Sequence, residues 1–137
     1  MQVYALHKSF GLTVLALTVL RLSWRLLAGS PEALPGGKLQ SLAAKSVHGM
    51  LYVLLFAMPL SGWLYNSASG FPLRWFGMPL PRLFTGFNPA LKQLAHALHE
   101  NLFYLLAALL VLHAGAALFH HYVRKDDTLK RMTGFRP

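Results

Sequence analysis

The chain has 137 residues, 55% of them apolar and 12% charged, with 13 basic against four acidic side chains and a net charge of +9. An average soluble domain carries roughly 25% charged residues, so a membrane protein is the first class to consider. Cysteine is absent, which excludes disulfides, iron–sulfur clusters and thioether-linked groups. The basic residues flank apolar stretches and form no single stripe, a pattern of juxtamembrane anchors that argues against nucleic-acid binding.

In chain order, the first apolar segment is LHKSFGLTVLALTVLRLSWRLL, which is long enough to cross a bilayer if Lys8 and Arg21 reach toward headgroups or a polar interior. It predicts a span over residues 6–27. The connection GSPEALPGGKLQSLAAK, Gly29 to Lys45, is punctuated by Pro and Gly and predicts a helix start at Ser46. Between Lys45 and Arg74 no Asp, Glu, Lys or Arg occurs, and none occurs between Glu100 and Arg124. Both windows exceed the roughly 20 residues that cross a hydrocarbon core, predicting spans at 46–66 and 97–122. Pro59 removes one backbone donor and predicts a kink in the second span. The intervening outer loop, 67–96, mixes prolines with Trp75, Phe76, Phe84 and Phe87 and reads as a segment lying at the membrane surface. Residues 123–137 form a basic tail. The fold class is therefore all-α, an integral membrane helix bundle in one unit, residues 1–137.

Nine basic residues fall on one side: Arg21, Arg25, Lys38, Lys45, Arg124, Lys125, Lys130, Arg131 and Arg136. Four fall on the other: Lys8, Arg74, Arg82 and Lys92. The positive-inside rule then makes the Gly29–Lys45 loop and the C-terminus cytoplasmic. The first span would start from outside, and MQVYALHKSFG lacks the basic and small-residue pattern of a cleaved signal. A preceding helix, giving three present spans of a four-helix bundle, resolves that topology.

Seven histidines stand at 7, 48, 96, 99, 113, 120 and 121. An ionisable ring inside a membrane is costly without a partner and is a functional hypothesis by default. His99 and His113 are fourteen residues apart on one apolar helix, almost four turns and about 21 Å of rise, so both face the bundle interior at two depths. That suits two stacked haems, each iron taking one imidazole from this helix and one from a neighbour. His7 and His99 enter at the same outer level and form the expected axial pair of an outer haem b, the alternative being two unrelated interfacial rings. His113, about 14 Å from the inner end at 1.5 Å per residue, is the expected ligand of an inner haem, the alternative being a hydrogen-bonded core histidine, with Gly115 leaving room for a flat macrocycle or close helix packing. His48 is expected two turns shallower, level with His120, as an axial ligand or as a group near a quinone or a propionate. His120 reaches the inner interface as a quinone partner or a headgroup contact. His96 and His121 receive no role. Arg21 and Arg25 share a face, with Arg21 a candidate for a haem propionate and Arg25 for lipid phosphate. Glu100, beside His99, would orient that ring or start the helix. No HExxH, Ser-His-Asp or phosphate-loop pattern is present.

LHKSFGLTVLALTVLRLSWRL, HGMLYVLLFAMPLSGW and LHENLFYLLAALLVLHAGAALFHHYVRKDDTLKRM, in that order, resemble the second, third and fourth transmembrane helices of the bacterial cytochrome b561 family. The similarity covers nearly the whole chain, and HHY followed by KDDTLKRM is its most specific part. The resemblance implies a di-haem b cytochrome of the inner membrane that exchanges electrons with the quinone pool; oxidation of superoxide belongs to some members, and hydrogenase cytochrome b subunits are more loosely similar. It implies His7 and His99 on the outer haem and His113 on the inner one, whose second ligand lies on the family's first helix, so that this chain alone holds two haems or one. Two rival readings are a cytochrome b anchor subunit of a dehydrogenase or hydrogenase, and a haem-free membrane scaffold.

Overall fold

The computed structural model describes residues 2–29 and 38–123. Three long helices carry the fold: α1 (Gln2–Ala28), α2 (Lys38–Ala68) and α3 (Pro89–Tyr122). Each is long and apolar enough to cross a membrane. At 1.5 Å per residue they run about 40 to 50 Å, beyond a hydrocarbon core of roughly 30 Å, so their ends project into the headgroup layers. Large apolar side chains such as Trp24, Leu27, Val111 and Leu112 point outward and stay exposed, where acyl chains would cover them. The all-α membrane reading holds, and the chain is an integral membrane protein.

The helix boundaries correct three expectations. Lys38 starts α2, eight residues before Ser46, because KLQSLAAK continues as two more helical turns ahead of the charge-free window. Pro89 starts α3, at N1, with the Asn88 side chain accepting from the Leu91 amide at 3.0 Å. Residues 89–96 are therefore helix and not loop, and Glu100 lies in the fourth turn, not at a helix start. Helix α2 runs through Pro59 without a break. The expected tail residues Arg124, Lys125, Lys130, Arg131 and Arg136 lie outside the described residues.

Helix α2 is central. It packs against α3 through Leu51, Leu54 and Leu109, flanked by Val47, Leu102 and Leu106, and α1 packs on its other side. The backbones of α1 and α3 stay more than 8 Å apart along their described lengths.

The connection from α2 to α3 does not simply lie on the surface. Leu73–Trp75 and Met78–Leu80 pair antiparallel as β1 and β2, turning at Phe76 (φ 45°) and Gly77 (φ 94°). A two-residue turn with both φ values positive matches the twist of a hairpin, and glycine adopts it freely. Phenylalanine does so at a cost of roughly 1–2 kcal/mol. Contacts to α1 compensate: the Phe76 amide donates to Ser9 Oγ at 3.0 Å, the Trp75 indole donates to Thr13 Oγ1 at 3.0 Å, and the Phe76 and Phe10 rings meet edge to face at 5.8 Å. Asn66 holds the base of the loop, donating to Phe71 O at 2.9 Å and accepting from Lys8 Nζ at 3.2 Å. Lys8 thus takes the polar interior and not the headgroups. Every buried polar side chain among the described residues has a hydrogen-bond partner, as low-dielectric surroundings require.

A candidate cofactor site between histidines at two levels

Fourteen residues separate His48 from Gly62 on α2, as they separate His99 from His113 on α3. The two helices are antiparallel neighbours, so this shared interval sets up two levels, named inner and outer for the orientation expected from the positive-inside rule. At the inner level a histidine of α2 faces a histidine of α3: the His48 and His113 rings lie with centroids 5.3 Å apart. At the outer level α2 presents Gly62, and a Cβ built there would come within 3.0 Å of His99 Cε1. His99 therefore lies across the surface of α2 and meets a ring from α1 instead. The His7 and His99 centroids are 6.0 Å apart, with ring planes at 86°.

The expected depth of His48 is corrected by this arrangement. It stands ten residues into α2, not at its mouth, because the helix starts at Lys38. It reaches the level of His113 and not that of His120, whose ring lies edge to face with Phe119 at 6.2 Å. His96, given no role, meets Tyr65 at 5.2 Å, and His121 meets Tyr122 at 4.9 Å.

The protonation of His99 can be deduced from its partners. Its Nδ1 is 3.1 Å from Met58 O and 3.0 Å from Ser61 Oγ. A carbonyl oxygen only accepts, so Nδ1 carries the ring proton and donates it. Ser61 Oγ spends its own hydrogen on Met58 O at 2.7 Å, which leaves a lone pair to share the Nδ1 proton. Nε2 is then the unprotonated nitrogen, the form in which imidazole binds a metal.

Distances decide how each level suits a haem. Metal–imidazole bonds of about 2.0–2.1 Å on opposite sides of one ion place the two ring centroids roughly 6 Å apart. The outer pair matches that span. The inner pair is short of it, a separation of two rings in direct contact. The α1 and α3 backbones also stand apart on the outer side. Gly11, one turn beyond His7 on the same face, borders open space in which an added Cβ would meet nothing within 4 Å. Gly115 is equally open. No group of three or more His, Asp or Glu that could hold an ion by itself occurs among the described residues.

Two cationic residues of α1, Arg21 and Arg25, lie near the inner level. Arg21 Nε donates to Tyr52 OH at 3.2 Å, and the Arg25 guanidinium lies 5.5 Å above the Tyr52 ring. Tyr52 is one helical turn from His48 and shares its face. Sequence reasoning missed Tyr52, Met58, Ser61 and Gly62. The matching fourteen-residue intervals on the two helices were a signal available for Gly62.

Residues 1–135 match the family model described as prokaryotic cytochrome b561. Cytochrome b561 homolog 2 of Escherichia coli strain K12 is 41% identical over 133 residues, covering 94% of this chain and 69% of that protein. Cytochrome b561 homolog 1 of the same strain is 35% identical over 127 residues, 92% of this chain and 72% of its own length. A protein of Yersinia pestis named probable superoxide oxidase CybB is 32% identical over 128 residues, again covering 72% of its length.

Proposed function

Because the chain belongs to the prokaryotic cytochrome b561 family, membrane cytochromes of b-type haem that transfer electrons, we propose that His7 and His99 are the axial ligands of its outer haem. The observation that carries this is their 6.0 Å ring separation, together with a His99 tautomer that leaves Nε2 unprotonated. Haem b supplies one-electron exchange at its iron when bound. The protein's residues fix the ligands, exclude water and set the polarity around them.

At the inner level we assign His113 as the ligand within this chain. His48 is the ring packed against it, and its 5.3 Å separation is short for a shared iron. Arg21, held by Tyr52 one turn from His48, faces a propionate at that level, and Arg25 faces lipid phosphate. His120 meets a quinone headgroup at the inner edge of the bilayer, so electrons pass between an outer site roofed by the Trp75 hairpin and the quinone pool. The basic flanks support an inner-membrane location, with the C-terminus cytoplasmic. Residues 1–137 act as one membrane unit.

Reduced-minus-oxidised absorbance of the purified protein and its single alanine variants tests the assignment. His7→Ala and His99→Ala should each remove the same low-spin haem b signal and leave any signal that depends on His113. His48→Ala should retain the His113-dependent signal. Retention of the outer signal in His99→Ala, with the protein folded, would sink the outer assignment; loss of the inner signal in His48→Ala would make His48 its second ligand.

A further inference from the structure

We infer that the Met58–Gly62 turn of α2 is a positioning clamp for His99, and that Ser61 and Gly62 thereby tune the outer haem. The inference rests on the outer-ligand reading above. Three features of one helical turn converge on one ring. Met58 O and Ser61 Oγ are the two acceptors within hydrogen-bond reach of Nδ1. Gly62 supplies the bare backbone against which the ring lies, with its Cε1, Nδ1 and Nε2 atoms at 3.0, 3.3 and 3.9 Å from where a Cβ would stand. Pro59 sits inside the same turn and cannot donate back along the helix.

The clamp controls rotation and electronics separately. Rotation is limited because Gly62 closes one side of the ring while two acceptors of the same helical turn hold Nδ1. A side-chain carbon at residue 62 forces the ring to yield by a few tenths of an ångström. Electronically, acceptors on Nδ1–H make the opposite nitrogen a stronger donor, which favours ferric over ferrous iron and lowers the potential. Ser61 is one of two acceptors and is buried, so water does not replace it. Its removal weakens that donation and raises the potential of the outer haem alone.

The test is a redox titration of the haem-loaded, membrane-reconstituted protein, with His99→Ala identifying which component is the outer haem. Ser61→Ala should keep both the spectrum and the haem content while shifting the outer midpoint upward, with the inner component unmoved; Ser61→Thr, which retains the hydroxyl, should return the midpoint toward wild type. Gly62→Ala should lose outer haem relative to inner. Alanine suits a helix better than glycine, so the variant is not expected to fail to fold. An outer midpoint that is unchanged or lowered in Ser61→Ala, or full outer occupancy in Gly62→Ala, overturns the clamp while leaving the ligand assignment standing. Survival of the outer component in His99→Ala overturns both.

Discussion

Ser9→Ala isolates the contact that docks the outer hairpin on α1. Ser9 is 4% exposed; its hydroxyl donates to Ala5 O at 2.9 Å and accepts from the Phe76 amide at 3.0 Å. Alanine is the better helix former, so α1 itself is not weakened. What is lost is the acceptor for an amide on a residue already held at φ 45°. Leaving a buried donor unpaired costs about 1–3 kcal/mol. Phe76 is 57% exposed, so water or headgroups reach one side of the turn and the lower half of that range applies, about 1–2 kcal/mol. At 1.4 kcal/mol per tenfold, the undocked population of the hairpin rises roughly 5- to 30-fold. Amide hydrogen exchange of residues 73–80 in detergent or nanodiscs reads this directly, because local opening sets the exchange rate there. Amides around Leu54, in the α2–α3 core, serve as the internal reference. Unchanged protection at Trp75 and Phe76, with α1 intact, would refute the idea that Ser9 pins the hairpin.

Gly11→Leu tests the space beside His7. Leucine gains helix propensity of just under about 1 kcal/mol over glycine and meets no neighbour near its Cβ, so the folded protein should be at least as stable to heat. Outer haem per protein, read from the difference spectrum, should nevertheless fall; full occupancy would place the macrocycle elsewhere. Arg21→Gln removes a cation from the inner level, where a positive charge favours the reduced iron. The midpoint of the inner component should drop while the outer one stays, and equal movement of both would argue against a local role for Arg21.

The helices and their histidines were legible because membrane insertion is written in composition. The stretches without Asp, Glu, Lys or Arg after Lys45 and after Glu100 have one stable conformation in lipid, since only a helix satisfies its own backbone there. A fourteen-residue interval on such a helix sets His99 and His113 on one face by geometry alone. Matching His7 to His99 needed one further step, counting residues from the outer end of each span. That step served less well for His48, because α2 extends through KLQSLAAK, ahead of the charge-free window.

The chain's own order of residues thus determined the membrane class, the three spans and the two histidine depths of α3. Tertiary structure alone decided which rings meet and how they are held: His7 with His99 through a gap between α1 and α3, His48 against His113, Nδ1 of His99 on Met58 and Ser61, and the Trp75 hairpin on Ser9 and Thr13. These contacts join residues 38 to 92 positions apart. Their partners are selected by the rotation and register of packed helices, which no local periodicity encodes.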